Sequence, residues 1–182
     1  ILDKIKELDE FIERDIKPLE QENIQFFDHR REHARTDWEN DGKPTKEWEA
    51  LLQEMKKRAD AAGHLRFALP KEIGGQDGSN LAMAMIREHF AHRGLGLHND
   101  LQNESSIVGN FPLVHMMWQF GTDAQKEEFL PALMTGGRRV GFGLTERSHG
   151  SDATYMETTA IKMGDEWIIN GNKRFNSGIH DA

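Results

Sequence analysis

Cysteine is absent from the chain, which rules out disulfide scaffolds, thiolate catalysis and cysteine-ligated zinc. Long apolar runs are missing too: none approaches the roughly 18–20 residues needed to span a bilayer. Nor does a secretory-type segment open the sequence, so cytoplasmic placement, or mitochondrial-matrix placement in a eukaryote, is the default expectation. Positive charge is in deficit, with 23 Lys and Arg against 31 Asp and Glu and a formal charge of −8. That balance argues against a protein whose main work is neutralising nucleic-acid phosphates. Nine histidines are present, but no HExxH pattern holds them, and His29/His33 and His89/His92 read as helical surface or packing positions, not metal ligands. Gly94-Leu95-Gly96 follows a helical pattern instead of a strand and is too short for a dinucleotide fingerprint. What remains is a globular composition, 37% hydrophobic and 30% charged over 182 residues, with enough apolar material for a core.

Helical spacing dominates the first three quarters. Ile5, Leu8, Phe11, Ile12 and Ile16 recur every three to four residues between charged ones, and Pro18 is expected to loosen or end that helix. Thr45 is placed to cap a helix carrying Trp48, Leu51, Leu52, Met55 and Ala59, closed by Gly63. A loop with one proline and three glycines follows at 69–78. Ser79 or Asn80 caps the next helix, in which Leu81, Met83, Ala84, Met85, Ile86 and Phe90 cover most of the circumference, the pattern of an interior helix. The polar cluster His98, Asn99, Gln102, Asn103, Ser105 and Ser106 precedes an apolar helical stretch over 107–120, where Pro112 should kink the helix or mark a restart. Thr122 and Gln125 form a capping box for a helix that runs to Gly136-Gly137.

Past residue 137 the period shortens. Segments 140–144, 157–162, 166–170 and 173–177 read as short strands separated by Gly-Asp and Asn-Gly turns. The expected fold class is therefore α+β: an all-α N-terminal helical domain over 1–137, then the start of an antiparallel β-barrel domain over 138–182. Four short strands leave a long unpaired edge, which suggests a fragment of a larger sheet.

The chemistry is expected in 142–152, Phe142-Gly143-Leu144-Thr145-Glu146-Arg147-Ser148-His149-Gly150-Ser151-Asp152. This loop offers backbone N–H groups, hydroxyls and little bulk where a phosphate or planar polar ring could approach, although a Ser/Gly/Asp loop between strands is also an ordinary turn. Glu146 and Asp152 read as loop-holding carboxylates, pairing with neighbouring backbone N–H groups or Arg147.

The loop resembles the Thr-Glu-Pro, then Gly-Ser-Asp signature of the acyl-CoA dehydrogenase family. Residues 164–173, Gly-Asp-Glu-Trp-Ile-Ile-Asn-Gly-Asn-Lys, resemble that family's second segment at the expected distance. Upstream, Pro70 to Gly75 and Phe120-Gly121-Thr122-Asp123-Ala124-Gln125-Lys126 are similar to two further family motifs.

The resemblance implies FAD as cofactor, an acyl-CoA thioester losing a proton from Cα and a hydride from Cβ, electron-transfer flavoprotein as acceptor, and a homo-oligomer. It further implies Phe142, Leu144 and Thr145 against the flavin ring, Gly150 and Ser151 beside the pyrophosphate and incoming thioester, and Phe175 and Ser177 near the ring's N5. Ser151 is the substrate-side residue among them. No catalytic base is expected within 1–182, because the family's glutamate base belongs to a C-terminal bundle. Arg147 in place of proline, His149 at a small position and Phe175-Asn176-Ser177 in place of Trp-Ile-Thr depart from the family pattern and suggest a divergent subgroup. Rival expectations are an oxidase or monooxygenase of the same fold, or a catalytically silent helical module for assembly or partner binding.

Overall fold

The computed structural model describes residues 1–28, 34–103, 106–109, 111–138 and 140–176. The chain divides into two compact units, Ile1–Gly137 and Arg138–Ala182.

In the first unit, α1 (Leu2–Phe11) passes into a π-helical turn (Ile12–Ile16) and on into α2 (Lys17–Glu22). Of the two outcomes expected at Pro18, the structure shows the loosening: the helix widens into the π-helical turn ahead of it and is not ended. Pro18 sits in the first turn of α2, where a missing N–H matters least, and the preceding register shift is closed by the Lys17 N–H on the Ile12 carbonyl. Arg58, from the helix Lys46–Ala61, donates to the Asp15 carbonyl at 2.9 Å, so a side-chain donor serves the stretch where proline has removed a backbone one. Leu8, Phe11, Ile12 and Ile16 are all buried at the centre of the core.

Two residue pairs, β1 (Thr36–Asp37) and β2 (Lys43–Pro44), run antiparallel. The unit is thus not wholly helical, because the turn signal at Asp41-Gly42 closes a miniature hairpin. α3 (Lys46–Ala61) starts with the Thr45 hydroxyl accepting from the Trp48 N–H at 3.3 Å, and it buries Trp48, Leu51, Met55 and Ala59.

α4 (Asn80–His92) is capped by Ser79. It is not the interior helix its composition suggests. Ile86 and Phe90 are buried, whereas Leu81 is 72% exposed. Toward the N-terminal helix, the Asp9 carboxylate takes the His89 Nε2 at 2.8 Å and Arg93 at 2.6 Å, and Arg93 also reaches Glu13 in the π-helical turn. Of the polar cluster, His98 and Ser106 are fully buried. The His98 Nε2–H donates to the Phe90 carbonyl at 3.2 Å, so solvation does not account for these two positions; Ser105 lies outside the described residues, as do His29 and His33.

The stretch 107–120 is helical only from Pro112. α5 (Pro112–Phe120) follows Phe111 in a left-handed conformation, φ 44°, so the residue before the proline lies outside the right-handed helical region that a following proline disfavours. α6 (Asp123–Thr135) opens with the Thr122/Gln125 capping box and ends at Gly136, φ 74°. Among the described residues no helix is long and apolar enough to cross a membrane.

In the second unit, β3 (Thr159–Met163) and β4 (Glu166–Asn170) form an antiparallel hairpin with Ile161 opposite Ile168. Gly164 at φ 64° makes the turn. The expected strand at 140–144 and the described part, 173–176, of the one expected at 173–177 join no ladder, Phe175 being left-handed at φ 58°, and no closed barrel forms among the described residues.

Candidate functional site

The site loop is organised from Glu146 outward. Its carboxylate is buried, with the side chain 4% exposed, and it accepts from the backbone N–H of Glu157 at 2.6 Å and of Thr158 at 3.0 Å. The Lys173 Nζ donates to it at 2.7 Å. Lys173 also donates to the Leu144 carbonyl at 3.0 Å, and the Arg174 N–H donates to the Thr145 carbonyl at 2.8 Å. This engagement explains why β3 begins at Thr159, two residues later than expected: the N–H groups of Glu157 and Thr158 are held by a side chain.

Burying a carboxylate is unfavourable unless its lone pairs are filled and its charge is matched. Here both conditions hold. The Lys173 ammonium, with the surrounding N–H donors, holds the Glu146 carboxyl down at about 2. The loop-holding role expected of Glu146 is what the structure shows, but its cationic partner is Lys173 and not Arg147, which is exposed. Asp152 closes the far end of the loop, its Oδ1 accepting from the Thr154 hydroxyl at 2.6 Å and the Thr154 N–H at 3.2 Å. These bonds, the hydroxyl foremost, lower its carboxyl pKa. His149 lies against the Tyr155 ring, centroids 3.9 Å apart.

Around this frame, Leu144 and Thr145 are half-buried and Gly150 and Ser151 exposed. Phe142 is 63% and Phe175 83% exposed, the latter in a left-handed conformation at φ 58°, a strained backbone of the kind that clusters at ligand sites. Ser177 lies outside the described residues. A Cβ added at Gly150 would meet nothing within 4 Å, and one at Gly143 would press on the Asn176 Oδ1 at 3.2 Å, a buried acceptor without a partner. Among the described residues no cluster of His, Asp or Glu is arranged to hold a metal ion.

A profile of the acyl-CoA dehydrogenase N-terminal domain matches residues 6–137. The chain belongs to the acyl-CoA dehydrogenase family. It is 34% identical over 123 residues to the caffeyl-CoA reductase–Etf complex subunit CarC of Acetobacterium woodii, covering 68% of this chain and 31% of that protein. It is similar to a solved structure assigned to the acyl-CoA dehydrogenases of Mycobacterium abscessus, with TM-score 0.67 and 27% identity over 96% of this chain and 41% of that one. A Bacillus anthracis acyl-CoA dehydrogenase complexed with FAD matches with TM-score 0.51 and 27% identity, over 98% of this chain and 26% of that one. The chain spans about a third of the length of the curated relatives it matches.

The profile match ends at Gly137, ahead of the loop. The residue that sequence reasoning missed is Lys173. Its signal was available: it closes the second family segment, and a lone lysine after Asn-Gly near a buried glutamate is a natural counter-ion.

Proposed function

We propose that this chain is the N-terminal portion of an FAD-dependent acyl-CoA dehydrogenase, with residues 1–137 as its helical domain and 138–182 as the beginning of its flavin-binding β-domain. The observation that carries the reading is the combination, in one loop, of a rigid polar frame and an open edge: Glu146 and Lys173 are held fast, while Phe142, Gly150, Ser151 and Phe175 are left uncovered. The residues present fit a large planar anionic cofactor. Two aromatic faces are free, a glycine leaves room for phosphate to approach backbone N–H groups, and the family includes a relative solved with FAD.

FAD, when bound, supplies the hydride acceptor. The chain's own residues then do the holding. Leu144 and Thr145 present backbone and hydroxyl to the ring, Phe142, Phe175 and Ser177 limit its position, and Gly150 and Ser151 border the pyrophosphate, with Ser151 also facing the thioester. Neither carboxylate in the loop is suited to take the Cα proton. A base needs a pKa near the working pH and a free lone pair; Glu146 titrates at about 2 and is filled by three donors, and Asp152 is likewise lowered and bonded. As the family resemblance implies, we assign the proton to a base outside residues 1–182. Electron-transfer flavoprotein is the proposed electron partner, in keeping with a relative named as a subunit of an Etf complex, and a homo-oligomer the proposed assembly.

The test is Thr145→Val in the full-length protein. It preserves shape and removes a donor; a lost hydrogen bond to a charged group is worth about 1.5–3 kcal/mol. FAD affinity should fall roughly tenfold or more and the flavin midpoint potential should move. Unchanged values for both would defeat the assignment.

A further inference from the structure

Three backbone and side-chain connections converge on one dipeptide. Lys173 Nζ holds the Leu144 carbonyl, the Arg174 N–H holds the Thr145 carbonyl, and Glu146, next in sequence, is tied to Lys173 and to the amides of Glu157 and Thr158. All of these atoms belong to the unit 138–182. No apolar packing does the same work here: every residue of β3 and β4 is exposed, and within the loop Glu146 is the buried residue.

We propose that Glu146 and Lys173 form a positioning clamp for the flavin-facing edge, fixing the Leu144–Thr145 peptide and raising its donor strength. The inference rests on the flavin reading above. Its physical content is twofold. First, a residue pinned at its own carbonyl and at the carbonyl before it has little freedom left in its backbone, so the Thr145 N–H and hydroxyl keep one direction before any ligand arrives, which lowers the ordering cost of binding. Second, an ammonium on the Leu144 C=O polarises the peptide whose other end is the Thr145 N–H. Hydrogen bonds in series strengthen one another, so that N–H becomes a better donor to an acceptor beyond it.

Neither residue touches the ligand in this arrangement. They act through Thr145, and Lys173 does so as a cation whose charge is matched locally by Glu146. A lysine lacking that carboxylate would be free to reach the ligand itself, and a glutamate lacking the lysine would place an unmatched negative charge behind the edge.

The experiment uses the full-length flavoprotein, with FAD as the probe, and reads the FAD dissociation constant and flavin midpoint potential for Lys173→Met, Lys173→Arg, Glu146→Gln, Thr145→Val and the double variant Lys173→Met/Thr145→Val. Lys173→Met should weaken FAD binding about tenfold or more, in line with the loss of a charge-assisted bond, and should lower the midpoint potential by removing a cation. Lys173→Arg should recover most of both. The double variant should fall short of the summed effects of the two single ones, because the part of the clamp that acts through the Thr145 hydroxyl is already lost while the part that acts through the N–H remains. Should Lys173→Met fail to fold, Glu146→Gln, which keeps one carbonyl acceptor in place of the two carboxylate oxygens that take the amides, should still weaken FAD binding several-fold, and by less than the sum of the two effects in combination with Thr145→Val. The clamp is overturned, with the flavin reading intact, if Thr145→Val shifts FAD affinity while Lys173→Met and Glu146→Gln leave it at the wild-type value, or if the effects of Lys173→Met and Thr145→Val simply add. If Thr145→Val changes neither quantity, the flavin reading falls and the clamp with it.

Discussion

His64 is the residue whose protonation the helical unit tolerates least. It lies just beyond α3 and is 8% exposed, with its ring 5.1 Å from Phe11. Lys4 Nζ stands 2.9 Å from its Nδ1, a geometry in which the ammonium donates to a neutral imidazole. Burial, reinforced by the Lys4 charge, brings the His64 pKa from 6.5 to about 4. The folded protein therefore binds fewer protons here than the unfolded chain between these two values. Stability from this site is fully present above pH 6.5 and is lost as pH falls toward 4. At about 1.4 kcal/mol per pH unit, the loss amounts to about 2–4 kcal/mol, a large part of the margin of an ordinary domain.

His64→Gln keeps an acceptor for Lys4 and removes the titration. Hydrogen exchange followed by mass spectrometry over 45–67 of the full-length protein gives the local opening free energy at successive pH values. The variant should be the less stable at pH 7, where the ring's packing on Phe11 is lost. Its deficit should then shrink by about 2–4 kcal/mol on going from pH 7 to 4. A deficit constant to within about 0.5 kcal/mol across that range, the scatter of an ordinary surface substitution, would refute the assignment of a neutral His64.

Two other expectations follow from the same structure. Gly75→Ala should destabilise the helical unit by about 2–3 kcal/mol or more, seen as a lower denaturation midpoint, because the new Cβ would fall 1.9 Å from the Leu69 carbonyl oxygen, itself the acceptor for the Asp77 N–H. Glu146 has the same sign as His64 in a lower window: its carboxyl is lowered from 4.5 to about 2, so the protection of the Glu157 and Thr158 amides should hold at pH 5, weaken below 4.5 and vanish near 2, and early loss between pH 7 and 5 would contradict the ion pair.

How far the sequence could be read depends on the range of the interaction involved. The caps at Thr45, Ser79 and Thr122 were legible because each joins residues three apart, and the glycine stop at Gly136 is equally local. At Pro18 the sequence left loosening and ending equally open, because the donor that steadies the helix around it, Arg58, lies 43 residues away from the carbonyl it serves. The composition of α4 implied burial on all sides, but the described structure packs a single face, and an apolar count does not reveal which neighbours are present. In the loop, the residues proposed for the open edge come from the family motif, whereas the Glu146–Lys173 bond spans 27 positions and links two motifs that a linear reading treats separately.

The two units are cohesive for different reasons, and the difference suits their work. In 1–137 a continuous apolar core runs from Leu8 to Leu133, and non-directional burial provides most of the driving force. In 138–176 the loop has little apolar cover, and its shape is set by directional bonds to one carboxylate and one ammonium. A buried ion pair is a weak source of net stability but a demanding one geometrically, since its desolvation is offset only when each partner is met at the right distance and angle. An apolar plug could hold the same loop only by packing side chains against it, and for 142–151 that would cover the edge that we propose faces the flavin. A polar clamp anchored behind Leu144 and Thr145 leaves that edge clear while fixing its direction. The buried charge is thus better understood as a specification of loop geometry than as a contribution to the stability of the fold.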